Sequence, residues 1–303
     1  MNLAEASGIF VPKPGLHTIE RYEYDQVQAV NWSGLKPYSD SPEKAKWLEI
    51  NRIESEALTF GVRCHERVLE PDAFAERYAY KPARWSEGGG HLRAVKGKTT
   101  AAEAAENRIE KENWEHDNIG REVIDADDAT KLEAIDTALH AHPIAGSLLG
   151  LESRRELAVL SKFGGVLCKS LVDMALTIPD TPSWSSLGFA PGLWLCDLKT
   201  TRDSASGKDF ARACAKWGYH GQQGFYQANW ERATGETVAG FCFVVVEKSP
   251  PFSVGVYRLD DEAEQAGTVL WKRLLTVRNS CYEKLQWPGY TPVLTDLRLP
   301  SWA

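Results

Sequence analysis

The chain has 303 residues, 43% of them hydrophobic and 25% charged, an ordinary balance for a globular protein with ample core. A formal net charge of -7 excludes a generic nucleic-acid coat, though not an enzyme that grips nucleic acid in a local basic channel. No apolar run approaches a membrane span, the start lacks a charged leader, and the six cysteines are scattered without a CxxC pair. These features predict a soluble cytoplasmic protein with buried thiols, no membrane partner and no cysteine-held metal.

In chain order, residues 1–30 are weakly patterned and read as a loose N-terminal arm or short strands. Residues 31–303 read as a single domain, helical over 31–150 and sheet-forming over 151–303. Ser41 before Pro42 and Glu43 predicts a helix start. Ile53 to Arg67 predicts a second helix, with Ile53, Ala57, Phe60 and Cys64 near one face. Residues 80–120 are charged and interrupted at Gly88-Gly89-Gly90, with a solvated helix from Ala101 to Trp114. Asp125 to Leu149 predicts one long helix, capped by Asp128, with Leu132, Ile135, Ala138 and Leu139 on a stripe. The second half alternates. Strands are predicted over 156–161, 165–176 and 192–201, with a loop over 177–191. A helix over 208–232, strands over 238–246 and 253–259, a helix over 262–285 and a Pro-rich tail complete the chain. Such an order makes an α/β fold with a central mixed sheet flanked by helices.

The most informative stretch is Leu193-Trp194-Leu195-Cys196-Asp197-Leu198-Lys199-Thr200-Thr201. It opens as a buried strand and then sets two ionisable groups where apolar ones belong. Strand side chains alternate, so Asp197 and Lys199 share a face, roughly 7 Å apart along the chain. Burying such charge is costly unless it is paired or holds a metal. Upstream, Gly165 to Leu176 is a second strand-like run carrying Asp173. Phosphodiester hydrolysis needs an activated water and neutralised phosphate charge, which carboxylate-held divalent metals supply. Asp173 and Asp197, with the Leu198 backbone carbonyl, are enough protein oxygens for magnesium. Lys199 is then placed to orient or help deprotonate the attacking water, or to steady the phosphate. A plain Asp–Lys salt bridge at a strand end, with Asp173 unrelated, fits these residues as well.

An acid, a loop, then Asp-x-Lys on the next strand resembles the PD-(D/E)xK nuclease core, a restriction-endonuclease-like fold here carrying an N-terminal helical extension. Within that superfamily the chain resembles the RecE-type exonucleases of phages and prophages, relatives of lambda exonuclease and the RecB nuclease domains. The likeness runs in order from about residue 28. Its parts are Val30 to Leu35, Gly61-Val62-Arg63-Cys64-His65-Glu66-Arg67-Val68-Leu69-Glu70-Pro71, the two acidic strands, Tyr219-His220-Gly221-Gln222-Gln223-Gly224-Phe225-Tyr226, and the end, Leu297 to Trp302. The first strand carries Val172-Asp173 in place of Pro-Asp.

The resemblance implies a Mg2+-dependent exonuclease with two ions, Mn2+ substituting, that degrades the 5′ strand of double-stranded DNA ends. It implies a homo-oligomeric ring and a single-strand annealing partner of the RecT/beta type. It also implies that His65 is a metal ligand, although a lone histidine by itself is more often a capped or core residue. Gln222 and Tyr226 share a helix face bordering the site, where they reach phosphate, Lys199 or DNA; Tyr226 is equally at home in the core. Ser33 is expected to bind a terminal phosphate. Lys36, Arg154, Arg155, Arg202, Lys208, Arg212 and Lys216 are the basic residues near the site in sequence, with Arg202 and Lys216 the chosen DNA contacts. Glu156 either supports the ligands or is a solvated strand-end acid. His140 and His142 diverge on a helix and are discounted as a metal pair. The 177–191 loop is expected to face DNA. An endonuclease, or a non-catalytic DNA-end binding protein on a nuclease fold, are the rival readings.

Overall fold

The computed structural model describes residues 12–51, 56–82 and 101–298, apart from the side chains of 56, 57 and 101–106. Ile53, Gly88-Gly89-Gly90 and the end from Leu299 lie outside the described residues. Within the stretch read as an arm or short strands, Gly15–His17 joins the main sheet. Strand β1 (Gly15–His17) pairs with a later strand, and helix α1 (Arg21–Gln26) follows. Asn31 caps α2 (Trp32–Leu35) by accepting from the Gly34 N–H at 2.9 Å. A 3₁₀ turn (Lys36–Ser39) leads to α3 (Pro42–Ile50), which starts as predicted: Ser41 accepts from the Lys44 N–H at 3.1 Å, and Pro42 is the first helical residue.

Helix α4 (Glu56–Leu69) buries Phe60, Cys64 and Val68, spaced by four on one face. After it come α5 (Pro71–Arg77), β2 (Tyr78–Tyr80), α6 (Ala101–Asp117) and β3 (Glu122–Ile124), with β2 and β3 paired in parallel. The helix expected over 125–149 is two, α7 (Ala126–Ala141) and α8 (Pro143–Leu149). Pro143 has no N–H to continue the ladder and holds His142 extended, at φ -72° and ψ 127°. Asp125, not Asp128, is the N-cap residue of α7. Leu132, Ile135 and Leu139 are buried as predicted, joined by Ala129.

Strands β4 (Ser153–Phe163) and β5 (Val166–Ile178) form a hairpin across Gly164-Gly165. Both glycines have positive φ, 57° and 83°, as a two-residue turn between right-twisted strands requires. A connection with the short helix α9 (Pro182–Ser186) leads to β6 (Gly192–Thr201). The large aromatics of this loop face inward. Trp184 and Phe189 are buried against each other and against Trp194, with ring centroids 5.4 and 4.7 Å apart, because closing the core removes their large apolar area from water.

The helix expected over 208–232 is also broken. Helices α10 (Gly207–Trp217) and α11 (Tyr219–Thr234) meet at Gly218, whose φ of 70° is left-handed and where a Cβ would lie 3.1 Å from the Trp32 ring. Strands β7 (Val238–Glu247) and β8 (Val254–Tyr257) and helix α12 (Asp261–Lys284) complete the fold.

The main sheet has the order β1-β4-β5-β6-β7-β8, with β6 and β7 parallel and every other pair antiparallel. It is the mixed sheet flanked by helices that the sequence predicts. On one face α4 and α7 pack on Met174, Cys196, Leu198 and Val244; on the other, α10 and α11 pack on Leu195, Phe243 and Val245. Each large apolar side chain buried this way contributes about 1.5–3 kcal/mol, so the strands between the two layers are firmly held. No described helix is long and apolar enough to cross a membrane.

Candidate active site

Strand β5 changes face at Asp173. Val172 packs with Leu157 and Val159 beneath α10 and α11, whereas Met174, Leu176 and Ile178 pack beneath α4 and α7. Residues two apart normally share a face, so the alternation slips between Val172 and Met174. The neighbouring strand is distorted at the same level. Glu156, between the pairs Arg155–Met174 and Leu157–Val172, has a left-handed φ of 44°. On the other side, β5 and β6 pair from Met174–Cys196 to Ile178–Gly192 and part before Asp173. There the Leu198 N–H donates to Asp173 Oδ2 at 2.7 Å. The registers place Glu156, Asp173 and Asp197 at one level on three adjacent strands.

Helix α4 adds His65, next to the buried Cys64 that anchors it. His65 Nδ1 lies 3.5 Å from Asp173 Oδ2 and 3.8 Å from Glu156 Oε1. One ligand atom each from His65, Glu156 and Asp173 lies within 4.8 Å of the others. Asp197 and Lys199 share a face, as strand period demands, and meet at 2.5 Å between Oδ2 and Nζ. From α11, Gln222 Nε2 donates to Asp197 Oδ1 at 2.7 Å. The Lys199 ammonium also lies 4.9 Å from the centre of the Tyr219 ring. His65, Asp173, Asp197, Leu198, Lys199 and Gln222 thus converge on one place.

Negative charge is in surplus here, and the proton affinities say so. Burial pushes Asp197 up to about 6, helped by Asp173 and opposed by Lys199. Burial also raises Asp173, while His65 and Lys199 pull it down and Glu156 pushes it further up. For His65 burial acts downward, but Asp173 and Glu156 outweigh it and bring the imidazole to about 9. Burial likewise lowers Lys199, and Asp197, Asp173 and Tyr219 together prevail to raise it, so it stays an ammonium. Glu156 Oε1 and Asp197 Oδ2 are buried without a well-formed hydrogen bond, the latter beside the Lys199 ammonium. An oxygen-rich, cation-poor cluster with one imidazole fits a hard divalent ion, and His65, Glu156 and Asp173 are placed to hold one.

The family model of a PDDEXK-like domain of unknown function (DUF3799) matches residues 32–294. The chain belongs to that family. The solved structure named "Putative exonuclease" from Eubacterium rectale aligns with a TM-score of 0.51 and 16% identity, covering 94% of this chain and 96% of that one. At that identity the likeness is one of fold. No curated protein matches the chain.

Within this PDDEXK-like domain, the other residues expected to touch DNA are spread more widely. Tyr226 is half-buried, hydrogen-bonded to Gln222 and packed between two core clusters. Ser33 is exposed on α2, and Arg202 is exposed just beyond β6. Lys216 is exposed near the end of α10, its ammonium 4.8 Å from the Trp217 ring centre. Two arginines are occupied by the fold. Arg155 donates to the carbonyls of Leu149 and Leu69 at 2.7 and 3.3 Å, and Arg154 pairs with Glu236 over the Trp230 ring. His142 caps α8 by accepting from the Ala145 N–H, and His140 bonds the Asp136 carbonyl. Sequence reasoning gave Tyr219 no role, although it sits one turn before Gln222 on the same helix.

Proposed function

We propose that this protein is a metal-dependent deoxyribonuclease of the RecE type, an exonuclease acting on the ends of linear duplex DNA. The observation that carries this reading is the row of Glu156, Asp173 and Asp197 across three strands, with His65 above it and a part-buried Lys199 beside it. The PDDEXK-like family supports nuclease chemistry for the chain.

His65, Glu156, Asp173 and Asp197, with the Leu198 carbonyl, are the residues proposed to hold two Mg2+ ions, or Mn2+ in their place. Bound there, such ions supply an activated water and neutralise charge on the phosphate and the leaving oxygen. Lys199, charged at neutral pH, donates hydrogen bonds to the phosphate and the attacking water; it is not a general base in this reading. Asp197 and the Tyr219 ring aim its ammonium. Gln222 fixes the Asp197 carboxylate, and Tyr226 holds Gln222 in turn. Ser33, Arg202 and Lys216 contact the DNA backbone. The RecE likeness further supports attack on the 5′-ended strand, a ring-shaped homo-oligomer, and 3′ overhangs handed to a single-strand annealing protein in the cytoplasm during phage-type recombination.

The test is a linear duplex labelled at either end, incubated with magnesium or with EDTA beside a closed circle. Magnesium-dependent release of mononucleotides from the 5′ end, with the circle intact, is the expected result. Nicking of the circle would replace the exonuclease by an endonuclease. End binding without cleavage under any divalent metal would leave a DNA-binding module on a nuclease fold.

A further inference from the structure

The outer face of α10 departs from the acidic character of a chain of net charge -7. Phe210 and Cys214 anchor the helix on the sheet. That orientation turns Lys208, Arg212 and Lys216 into solvent as a row with a spacing of four residues, about 6 Å per step along the axis. Asp209 is the acid within this helix, and it pairs with Arg212 at 3.1 Å. Lys208 and Lys216 make no ion pair among the described residues.

Trp217 ends the row and remains 45% exposed. Two ammonium groups rest near its ring, Lys216 at 4.8 Å and Lys36 at 4.6 Å from the centre. Lys36 is part-buried, and burial lowers its proton affinity, so an arriving anion would relieve it. Beside this cluster a cavity of about 240 Å³ opens, lined by Trp32, Lys36, Ser39, Lys216 and His220 among others. Two residues beyond Trp217, across the break at Gly218, Tyr219 sets its ring 4.9 Å from the Lys199 ammonium, so the row leads toward the active site in sequence.

A basic track with an aromatic platform is how proteins hold a single strand: cations follow the phosphates and an unpaired base stacks on the ring. A duplex would leave the indole unused. We propose that the ridge Lys208–Arg212–Lys216, with Lys36 and Trp217, carries the single-stranded part of the DNA next to the cleavage site. Phosphates draw the two ammonium groups off the Trp217 ring, and a base takes their place. This inference rests on the nuclease reading above.

The test measures binding of a fluorescent single-stranded oligonucleotide, and of its duplex, in EDTA over a salt series. Removing three phosphate contacts in Lys208→Ala/Arg212→Ala/Lys216→Ala should flatten the slope of log K against log salt by about 2 for the single strand. Trp217→Ala should weaken single-strand binding about ten-fold, leave that slope and duplex binding unchanged, and be largely restored by Trp217→Phe. The four side chains are exposed, and a thermal melt checks that the variants fold as the parent does. In cleavage assays the triple variant should raise KM and keep kcat at saturating DNA.

An unchanged salt slope in the triple variant overturns the ridge. Equal weakening of duplex and single strand by Trp217→Ala removes the stacking role. A parent protein that binds as described but cleaves no DNA sinks the nuclease reading and leaves the ridge standing. Cleavage by the parent, with no binding change in either variant, does the reverse.

Discussion

Lys169 on β5 and Lys199 on β6 stand in the interior of the same sheet, and their surroundings differ in kind. Lys169 is 3% exposed. Its ammonium donates to the carbonyls of Tyr24 and Val27 at 2.5 and 2.9 Å and lies 4.4 Å from the centre of the Tyr24 ring. Those carbonyls close α1, so Lys169 acts as a helix C-terminal cap supplied from another element, clipping the N-terminal segment to the sheet. Lys199 instead faces Asp197, and behind it Asp173 and Glu156, two of whose neighbouring oxygens keep unused capacity. A buried charge whose partners are consumed belongs to the fold. One whose partners retain unsatisfied atoms marks a site.

The largest expected effect separates the two lysines by activity. Lys199→Ala should lower cleavage by at least about 10²–10⁴-fold while keeping DNA binding. It should also keep metal affinity, because the ammonium competes for Asp197. Asp197→Ala should lose cleavage and metal affinity together, read by calorimetric titration with Mn2+. Full activity in either variant would remove the assignment.

The second effect runs the other way. Lys169→Met should cost about 2–4 kcal/mol by stranding the α1 carbonyls, seen as a lower Tm. The specific activity of the folded fraction should match the parent. A cleavage defect at unchanged stability would erase the distinction between the two lysines.

Acidity sharpens the comparison further. In the metal-free protein His65 is raised to about 9 and Asp197 to about 6. Between the ordinary value and the raised one, each group binds more protons folded than unfolded, so each favours the folded state less as pH rises. These two groups therefore predict that metal-free stability falls from about pH 4 to about pH 9, and that added Mn2+ offsets the fall. At pH 7 the imidazole must shed its proton to become a ligand. Mn2+ binding should then release roughly one proton, measured by calorimetry in buffers of different ionisation enthalpy. No proton release would remove His65 from the ligand set.

The smallest expected effect is at Gln222. Gln222→Leu removes the hydrogen bond to Asp197 Oδ1 at the edge of the cluster. It should reduce kcat by about ten-fold, the size of one hydrogen bond to a charged group, with little change in KM. An equal loss on Tyr226→Phe would show that the Gln222–Tyr226 pair acts as a unit.

Much of this architecture is legible in local pattern. The shared face of Asp197 and Lys199 follows from strand period alone, and the Ser41–Pro42 helix start follows from capping chemistry. The breaks at Pro143 and Gly218 carry their own local signals, and helix periodicity on either side masks them. Local pattern says nothing about what lies across from a residue. Trp184 and Phe189 read as loop aromatics and are core, and Lys169, which local pattern gives no role, is a buried clip.

The amino-acid sequence determined the order of elements, their inward faces and the Asp-x-Lys pair, because these depend on neighbours within a few residues along the chain. Tertiary structure alone decided the rest of the site. The slip at Asp173, the left-handed backbone at Glu156 and the approach of His65 are set by how α4 seats on strands about 100 residues away. A glutamate at φ 44° has no local preference for that conformation, so the packing of the surrounding layers must hold it there.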